Sequence, residues 1–365
     1  MEKKYNVGII GATGMVGQRF ATLLENHPWF NVKVLAASAR SAGKTYKEAA
    51  GNRWAMTTPM PKAMEDMVIM DAAEVEKIAS QVDFVFCAVD MKKDEIRALE
   101  ESYAKHEIPI VSNNSACRGI EDVPMVVPEI NAAHLAVIDT QRKRLGSKYG
   151  FIAVKPNCSI QSYVPALTPL LDFEPTQVSV CTYQAISGAG KTFKSWPEMV
   201  DNVIPYIGGE DEKSENEPLK LWGRLEDKGS GPVIVNAAEP VISAQCLRVA
   251  CSDGHMAAVS VNFRKKVSKE EILARWANYE TEAQRLELPS APKPFLQYFE
   301  DPSRPQTRLD RDFQNGFGVS IGRLREDKIF DWRFVCLSHN TIRGAAGGGI
   351  LTAELLCRKG YIVAK

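Results

Sequence analysis

Apolar positions in the first 155 residues gather into short runs separated by amphipathic stretches. Val7–Ile10, Val32–Ala37, Phe84–Ala88 and Ile108–Val111 are brief, largely apolar and bounded by turn residues. Runs of that length without strict alternation mark strands covered on both faces. Between them, Met15–Glu25 and Lys92–Lys105 carry apolar residues three and four apart, the spacing of a helix with one buried stripe. Strand–helix alternation of this kind predicts a doubly wound parallel sheet. Phe151–Val154 reads as one more strand of that block.

After Lys155-Pro156-Asn157 the pattern changes. Thr176–Ile186, Met256–Arg264, Gly316–Arg323 and Phe330–Leu337 are longer and alternate, the period of strands with one buried face. Helical spacing recurs in Ser159–Leu171, Lys269–Arg285 and Ala345–Lys359. The mixture predicts an α+β second domain on a mainly antiparallel sheet. Tyr206–Gly231 is polar, charged and glycine-containing, and is expected as an exposed excursion. Leu288–Arg308 holds five prolines and is expected as an extended arm over the surface.

A chain of 365 residues exceeds what one core usually supports, so two domains are expected. Lys plus Arg and Asp plus Glu each number 45, so no one-sign field points to nucleic acid or an anionic membrane. No apolar run approaches the roughly 20 residues of a membrane span. The start, MEKKYNVGIIGATG, runs straight into a motif, without the apolar stretch and cleavage site of a signal peptide. Eight cysteines are scattered with no CxxC pair, which predicts reduced thiols in a cytoplasmic protein and no metal site.

The first candidate chemistry lies in Gly8-Ile-Ile-Gly11-Ala-Thr13-Gly14-Met15-Val16-Gly17, at the junction of a predicted strand and helix. Glycines there let the backbone turn tightly against a pyrophosphate, and the helix N-terminus offers free N–H groups. This identifies a Rossmann-type dinucleotide site. NAD-binding versions usually end their second strand in a carboxylate. Here that strand runs into Ser38-Ala39-Arg40-Ser41. A guanidinium flanked by hydroxyls suits a 2′-phosphate, so NADP is the expected cofactor. The alternative for Arg40 is a solvated loop residue.

The second lies at Cys158, which follows a predicted strand and opens a predicted helix. A helix N-terminus favours a thiolate, so a lowered thiol pKa is expected there. Of the five histidines, His27 and His106 fall on polar helix ends and are expected at the surface; His134 falls in a connecting helix and His339 precedes Asn340. His255 follows Gly254 in a tight turn entering a strand, where the imidazole could approach a ligand or serve a structural role. A Cys–His pair also suits a thiol hydrolase, but beside a dinucleotide it suits aldehyde oxidation through a thioester.

Taken in order, Gly11-Ala-Thr-Gly14-Met-Val-Gly17, Ser112-Asn-Asn-Ser-Ala-Cys-Arg118, Pro156-Asn-Cys158-Ser, Gln184-Ala-Ile-Ser-Gly-Ala-Gly190, Arg248 with His255 seven residues on, and Asn340-Thr-Ile-Arg-Gly-Ala-Ala-Gly347 resemble the aspartate-semialdehyde dehydrogenase family, in its archaeal/fungal branch. The resemblance spans nearly the whole chain. It implies Cys158 as nucleophile, His255 as acid and base, and Gln184 as the group orienting the acyl chain. It implies Arg248 on the substrate carboxylate, and Arg118 with Asn157 in a phosphate pocket. Ser187, Gly188 and Asn340 would lie on the nicotinamide side. Glu210 and Lys213 match the family's ammonium and phosphate contacts by spacing, although a solvated charge run is the alternative. It further implies a nucleotide domain of residues 1–156 closed by 343–365, a catalytic and dimerisation domain of 157–342, and a homodimer or homotetramer. The implied reaction is reduction of L-4-aspartyl phosphate to L-aspartate 4-semialdehyde, with phosphate released. Malonyl-CoA reductase, N-acetyl-glutamyl-phosphate reductase and a non-catalytic NADP-binding sensor are the competing possibilities. The first tends to lack an Asn before its nucleophile, and the sensor would have lost the nucleophile.

Overall fold

The computed structural model describes residues 4–365. Six parallel strands form the first sheet: β1 (Tyr5–Ile10), β2 (Phe30–Ala37), β3 (Met70–Asp71), β4 (Phe84–Cys87), β5 (Ile110–Ser112) and β6 (Ile152–Val154). Their order is β3-β2-β1-β4-β5-β6, so the chain reverses direction across the sheet between β1 and β4. That switch point is where doubly wound sheets open a crevice beyond the strand ends. Phe20 of the helix Met15–Leu24 stacks on Phe86 of β4 at 4.5 Å, and Phe30 and Phe84 pack edge-on beside it. The closing helix Gly347–Arg358 is buried along nearly its whole length and covers the same face.

His27 departs from its expected surface position. Its Nε2 lies 2.9 Å from Glu354 of the closing helix, and its Nδ1 accepts the Trp29 and Phe30 N–H groups. Ser290 Oγ donates to the same carboxylate at 2.6 Å. A helix-end histidine thus became a buried tie, because the closing helix packs over it.

The second sheet contains β7 (Pro175–Gln184), β8 (Val203–Ile204), β11 (Val241–Val249), β12 (His255–Phe263), β13 (Leu296–Phe299), β14 (Val319–Glu326) and β15 (Trp332–Ser338), while β9 (Arg224–Asp227) and β10 (Pro232–Val235) form a separate hairpin. The order in the sheet is β13-β14-β15-β12-β7-β11-β8. β7/β11 and β13/β14 are parallel and the other neighbours antiparallel, so the sheet is mixed and mainly antiparallel. The helix Ile160–Leu167, wholly buried, packs against β12, β14 and β15.

Several elements differ from their expected form. The Ser159–Leu171 helix gives way to a 3₁₀ turn, Thr168–Phe173, where Pro169 has no N–H to donate. Lys269–Arg285 divides into Lys269–Ala277 and Glu282–Arg285, each opened by its own capping box, on Ser268 and Thr281. The proline-rich arm is partly internal: it supplies β13 at the sheet edge and buries Phe295. Tyr206–Gly231 is no exposed excursion. It contains the helix Glu210–Leu221, with Glu210, Ser214, Pro218, Lys220 and Leu221 buried.

Candidate active site

β6 ends at Val154, and Lys155 N–H donates to Ser112 O at 2.9 Å before the chain turns. Asn157 Oδ1 accepts from Ser159 N–H at 2.7 Å and Ser159 Oγ at 2.6 Å. This side-chain turn fixes Cys158 between them, ahead of the helix Ile160–Leu167. Gly344 passes over the cysteine so closely that a Cβ there would sit 2.9 Å from Cys158 Cβ.

The opposite wall begins at Gly254, whose φ of +97° suits glycine. Its N–H donates to Asn340 Oδ1 at 2.7 Å, and His255 then opens β12. His255 Nε2 lies 3.5 Å from Cys158 Sγ, and Nδ1 accepts the Ala185 N–H at 3.0 Å. A ring nitrogen that accepts carries no proton, so the neutral imidazole's proton is assigned to Nε2, facing the sulfur. Burial, with Arg248 adding to it, lowers the His255 pKa to about 3. The Cys158 thiol is pushed up by burial first and by Glu210; Lys155, Arg118 and Arg248 pull the other way. The resting pair is therefore a thiol beside a neutral imidazole. The lowered thiol pKa expected from the helix start is not found: the Ser159 N–H is already taken by Asn157, and burial outweighs Lys155, Arg118 and Arg248.

Gln184 and Arg248 face each other across the β7/β11 register. Arg248 Nη1 donates to Ala185 O at 2.7 Å. Gln184 Nε2 reaches Glu210 at 3.3 Å. Glu210 also accepts both bonds of the Asn157 amide at 2.9 Å and pairs with Lys213 Nζ at 2.8 Å. Burial would raise this carboxyl, but Lys213, Asn157 and Gln184 outweigh it and hold it below the usual range. Arg118 bonds Glu217 at 2.9 Å, and the other Glu217 oxygen accepts Asn157 N–H at 2.5 Å. Glu210, Lys213 and Glu217 stand at i, i+3 and i+7 on one helix face.

At the other end, a cleft of about 820 Å³ is lined by Gly11, Thr13, Gly14, Ser38, Arg40 and Ser41, with Lys44 and Arg53. Gly11 has φ +91°, and a Cβ there would meet Ala88 O at 2.3 Å. Gly14 caps the helix that Met15 and Val16 begin, behind the lining. Ser187, Gly188 and Asn340 do not line this cleft; they sit against the cysteine pocket. Asn340 Nδ2 donates to Ser187 Oγ at 2.8 Å, and a Cβ on Gly188 would lie 3.0 Å from His255 Nε2.

Residues 6–138 match a family model described as semialdehyde dehydrogenase, NAD binding domain, and residues 167–343 match semialdehyde dehydrogenase, dimerisation domain. The aspartate-semialdehyde dehydrogenase of Schizosaccharomyces pombe is 44% identical, over 98% of this chain and 99% of its own length. That of Archaeoglobus fulgidus is 41% identical, over 98% of this chain and 100% of its own. The chain belongs to the aspartate-semialdehyde dehydrogenase family. The crystal structure of the Candida albicans aspartate-semialdehyde dehydrogenase with NADP superposes with a TM-score of 0.88 at 38% identity, covering 99% of this chain and 100% of that one. The chain thus carries the NAD binding and dimerisation domains of a semialdehyde dehydrogenase.

Two groups around the family's cysteine went unread in the sequence. Glu217 was legible in principle, as the i+7 partner of Glu210. Lys155 gave no signal: it is 3% exposed, covered in part by the 343–348 turn.

Proposed function

We propose that this chain reduces L-4-aspartyl phosphate to L-aspartate 4-semialdehyde, with release of phosphate, through a thioester on Cys158. The product would enter lysine, threonine and methionine synthesis. The observation that carries the reading is the 3.5 Å approach of His255 Nε2 to Cys158 Sγ inside a pocket ringed by Arg248, Gln184, Asn157 and Glu210. Cys158 Sγ attacks the acyl carbon as the carbon–oxygen bond to phosphate breaks, and the thiol proton ends on the phosphate, which leaves toward Arg118, Asn157 and Lys213. Arg248 grips the α-carboxylate as a fork, Glu210 receives the ammonium, and Gln184 orients the acyl group without adding charge. His255, carrying its proton on Nε2, donates to the substrate oxygen as the tetrahedral carbon forms. The base role toward the thiol would require the Ala185 bond to Nδ1 to open first.

The cleft fits the expected cofactor. Gly11, at φ +91° and tight against Ala88, makes the close backbone turn that a pyrophosphate loop needs, and Arg40 with Ser38 and Ser41 lines the end suited to a 2′-phosphate. When bound, NADPH supplies the hydride that reduces the acyl group. Ser187, Gly188 and Asn340 would border its nicotinamide end.

The nucleotide domain is taken as residues 1–156 with 343–365, and the catalytic domain as 157–342; residues 1–3 lie outside the described residues. The closing helix on the first sheet supports that division. A homodimer or homotetramer is proposed from the matched dimerisation domain, supported by exposed Tyr183, Val203 and Val241 on β7, β8 and β11. No helix among the described residues is long and apolar enough to cross a membrane. A cytoplasmic location is proposed from eight cysteines that are all unpaired.

Near-full-length similarity to aspartate-semialdehyde dehydrogenases does not favour malonyl-CoA reductase, N-acetyl-glutamyl-phosphate reductase or a non-catalytic sensor. The test is phosphate-dependent oxidation of aspartate semialdehyde with NADP, run beside NADPH oxidation with malonyl-CoA. Activity only with malonyl-CoA would overturn the reading.

A further inference from the structure

Among the described residues, three cations bear on the nucleophile, Lys155, Arg118 and Arg248, and two have other work. Arg118 bonds Glu217. Arg248 bonds Ala185 O and, in the proposed reaction, takes the substrate carboxylate. Lys155 is different. It is 3% exposed, stands three residues before Cys158, and its ammonium bonds the Pro156 carbonyl, within the nucleophile's own turn, rather than a carboxylate. The nearby carboxylate of Glu129 is claimed by both Nη atoms of Arg343, at 2.8 and 3.1 Å. The 343–348 turn closes over both residues: Gly344 lies against Cys158, and Gly348 against the Lys155 stem. A buried ammonium that bonds a carbonyl in place of a carboxylate is costly.

His255 leaves an opening for it. With Nδ1 accepting the Ala185 N–H, the nitrogen facing the sulfur already carries a proton. The imidazole can donate a hydrogen bond to a thiolate, but it cannot take the thiol's proton as it stands. We propose that Lys155 is a positioning residue for Cys158, its buried ammonium supplying the positive charge that makes the thiolate accessible at neutral pH. A site holding Cys158 as thiol and Lys155 as amine differs from one holding thiolate and ammonium only in which group carries one proton. The exchange creates an ion pair with no change in net charge. Burial first, and then Arg118, lowers the Lys155 pKa to about 7, while Cys158, Glu217 and Glu210 act in the opposite sense. The charged groups that bear on the pair are thus Arg118, Arg248, Glu210, Glu217 and the Glu129–Arg343 couple.

The inference rests on Cys158 being the nucleophile, and its test separates the two. The full-length enzyme, Lys155→Met and Lys155→Arg are alkylated with iodoacetamide from pH 5 to 10, and labelling is read on the peptide bearing Cys158. Lys155→Met should slow labelling at pH 7 about tenfold and move the midpoint upward by about one pH unit. Lys155→Arg should stay close to the wild-type rate, since it keeps the charge. Thermal melting of both variants, at or above wild type for Met, reports that the fold survives. An unchanged midpoint in folded Lys155→Met overturns the proposal and leaves the nucleophile untouched. Turnover surviving in Cys158→Ser overturns the underlying reading instead.

Discussion

At the nucleotide end the lining comes from loops of the first sheet's domain, all between residues 11 and 99, and joins a glycine turn to exposed side chains such as Arg40. Gly11, Thr13 and Gly14 form a turn, and Ser38 to Ser41 lie on the next strand's exit. At the cysteine end most of the polar groups are side chains, gathered from positions between 118 and 340, and many are buried and already bonded to one another or to nearby backbone. An exposed lining of this kind leaves its side chains free to be bonded by water until a ligand arrives. Side-chain pockets need each partner satisfied before substrate arrives, or burial is penalised. The cleft should therefore tolerate substitution with graded losses in affinity, while the pocket should fail in the chemical step.

The sharpest break between the two comes from Cys158→Ser. Turnover should drop by about a thousandfold or more while NADPH binding, read by fluorescence titration, stays unchanged. Residual activity near wild type would remove the distinction altogether. Next, Arg248→Lys keeps the charge but loses the fork, and should lower kcat/KM for aspartate semialdehyde by about ten- to a hundredfold. In the cleft, Arg40→Ala should raise the KM for NADPH about tenfold and leave that for NADH within about twofold. Equal effects on both would detach Arg40 from the 2′-phosphate.

The smallest effect concerns stability. His255 is held neutral, with its pKa lowered from 6.5 to about 3 by burial and Arg248. The unfolded chain takes up a proton near pH 6.5 that the folded one refuses until about pH 3. The resulting stability is fully present above pH 6.5 and is lost as pH falls toward 3. His255→Gln should flatten that acid slope by up to one proton in denaturant titrations across the window; an unaltered slope would mean that His255 is not buried neutral.

The cleft was also the more legible end. Its glycines, strand and helix are local in sequence, and Val7–Ile10 had to be a covered strand because it is apolar on both faces. β11 was passed over although Val241–Val249 alternates, because its buried positions are Ile242, Cys246 and Arg248, of which Ile242 alone is a large aliphatic. The helix Glu210–Leu221 was misread for a related reason. Its buried stripe is Glu210, Ser214, Pro218, Lys220 and Leu221, so polarity masked a helix whose inner face looks into a polar site. The raised Cys158 thiol and the buried Lys155 depend on what folds over them, the Gly344–Gly348 turn almost two hundred residues away, and no local pattern encodes that cover.

The claim on which the rest depends is that the Cys158 sulfur carries the acyl group. Enzyme mixed with L-4-aspartyl phosphate in the absence of NADPH, quenched in acid and digested, can be read by peptide mass spectrometry. An aspartyl adduct on the Cys158 peptide, discharged as the semialdehyde when NADPH is added, is the predicted result. An adduct on another residue, or full turnover with no adduct at Cys158, would contradict it.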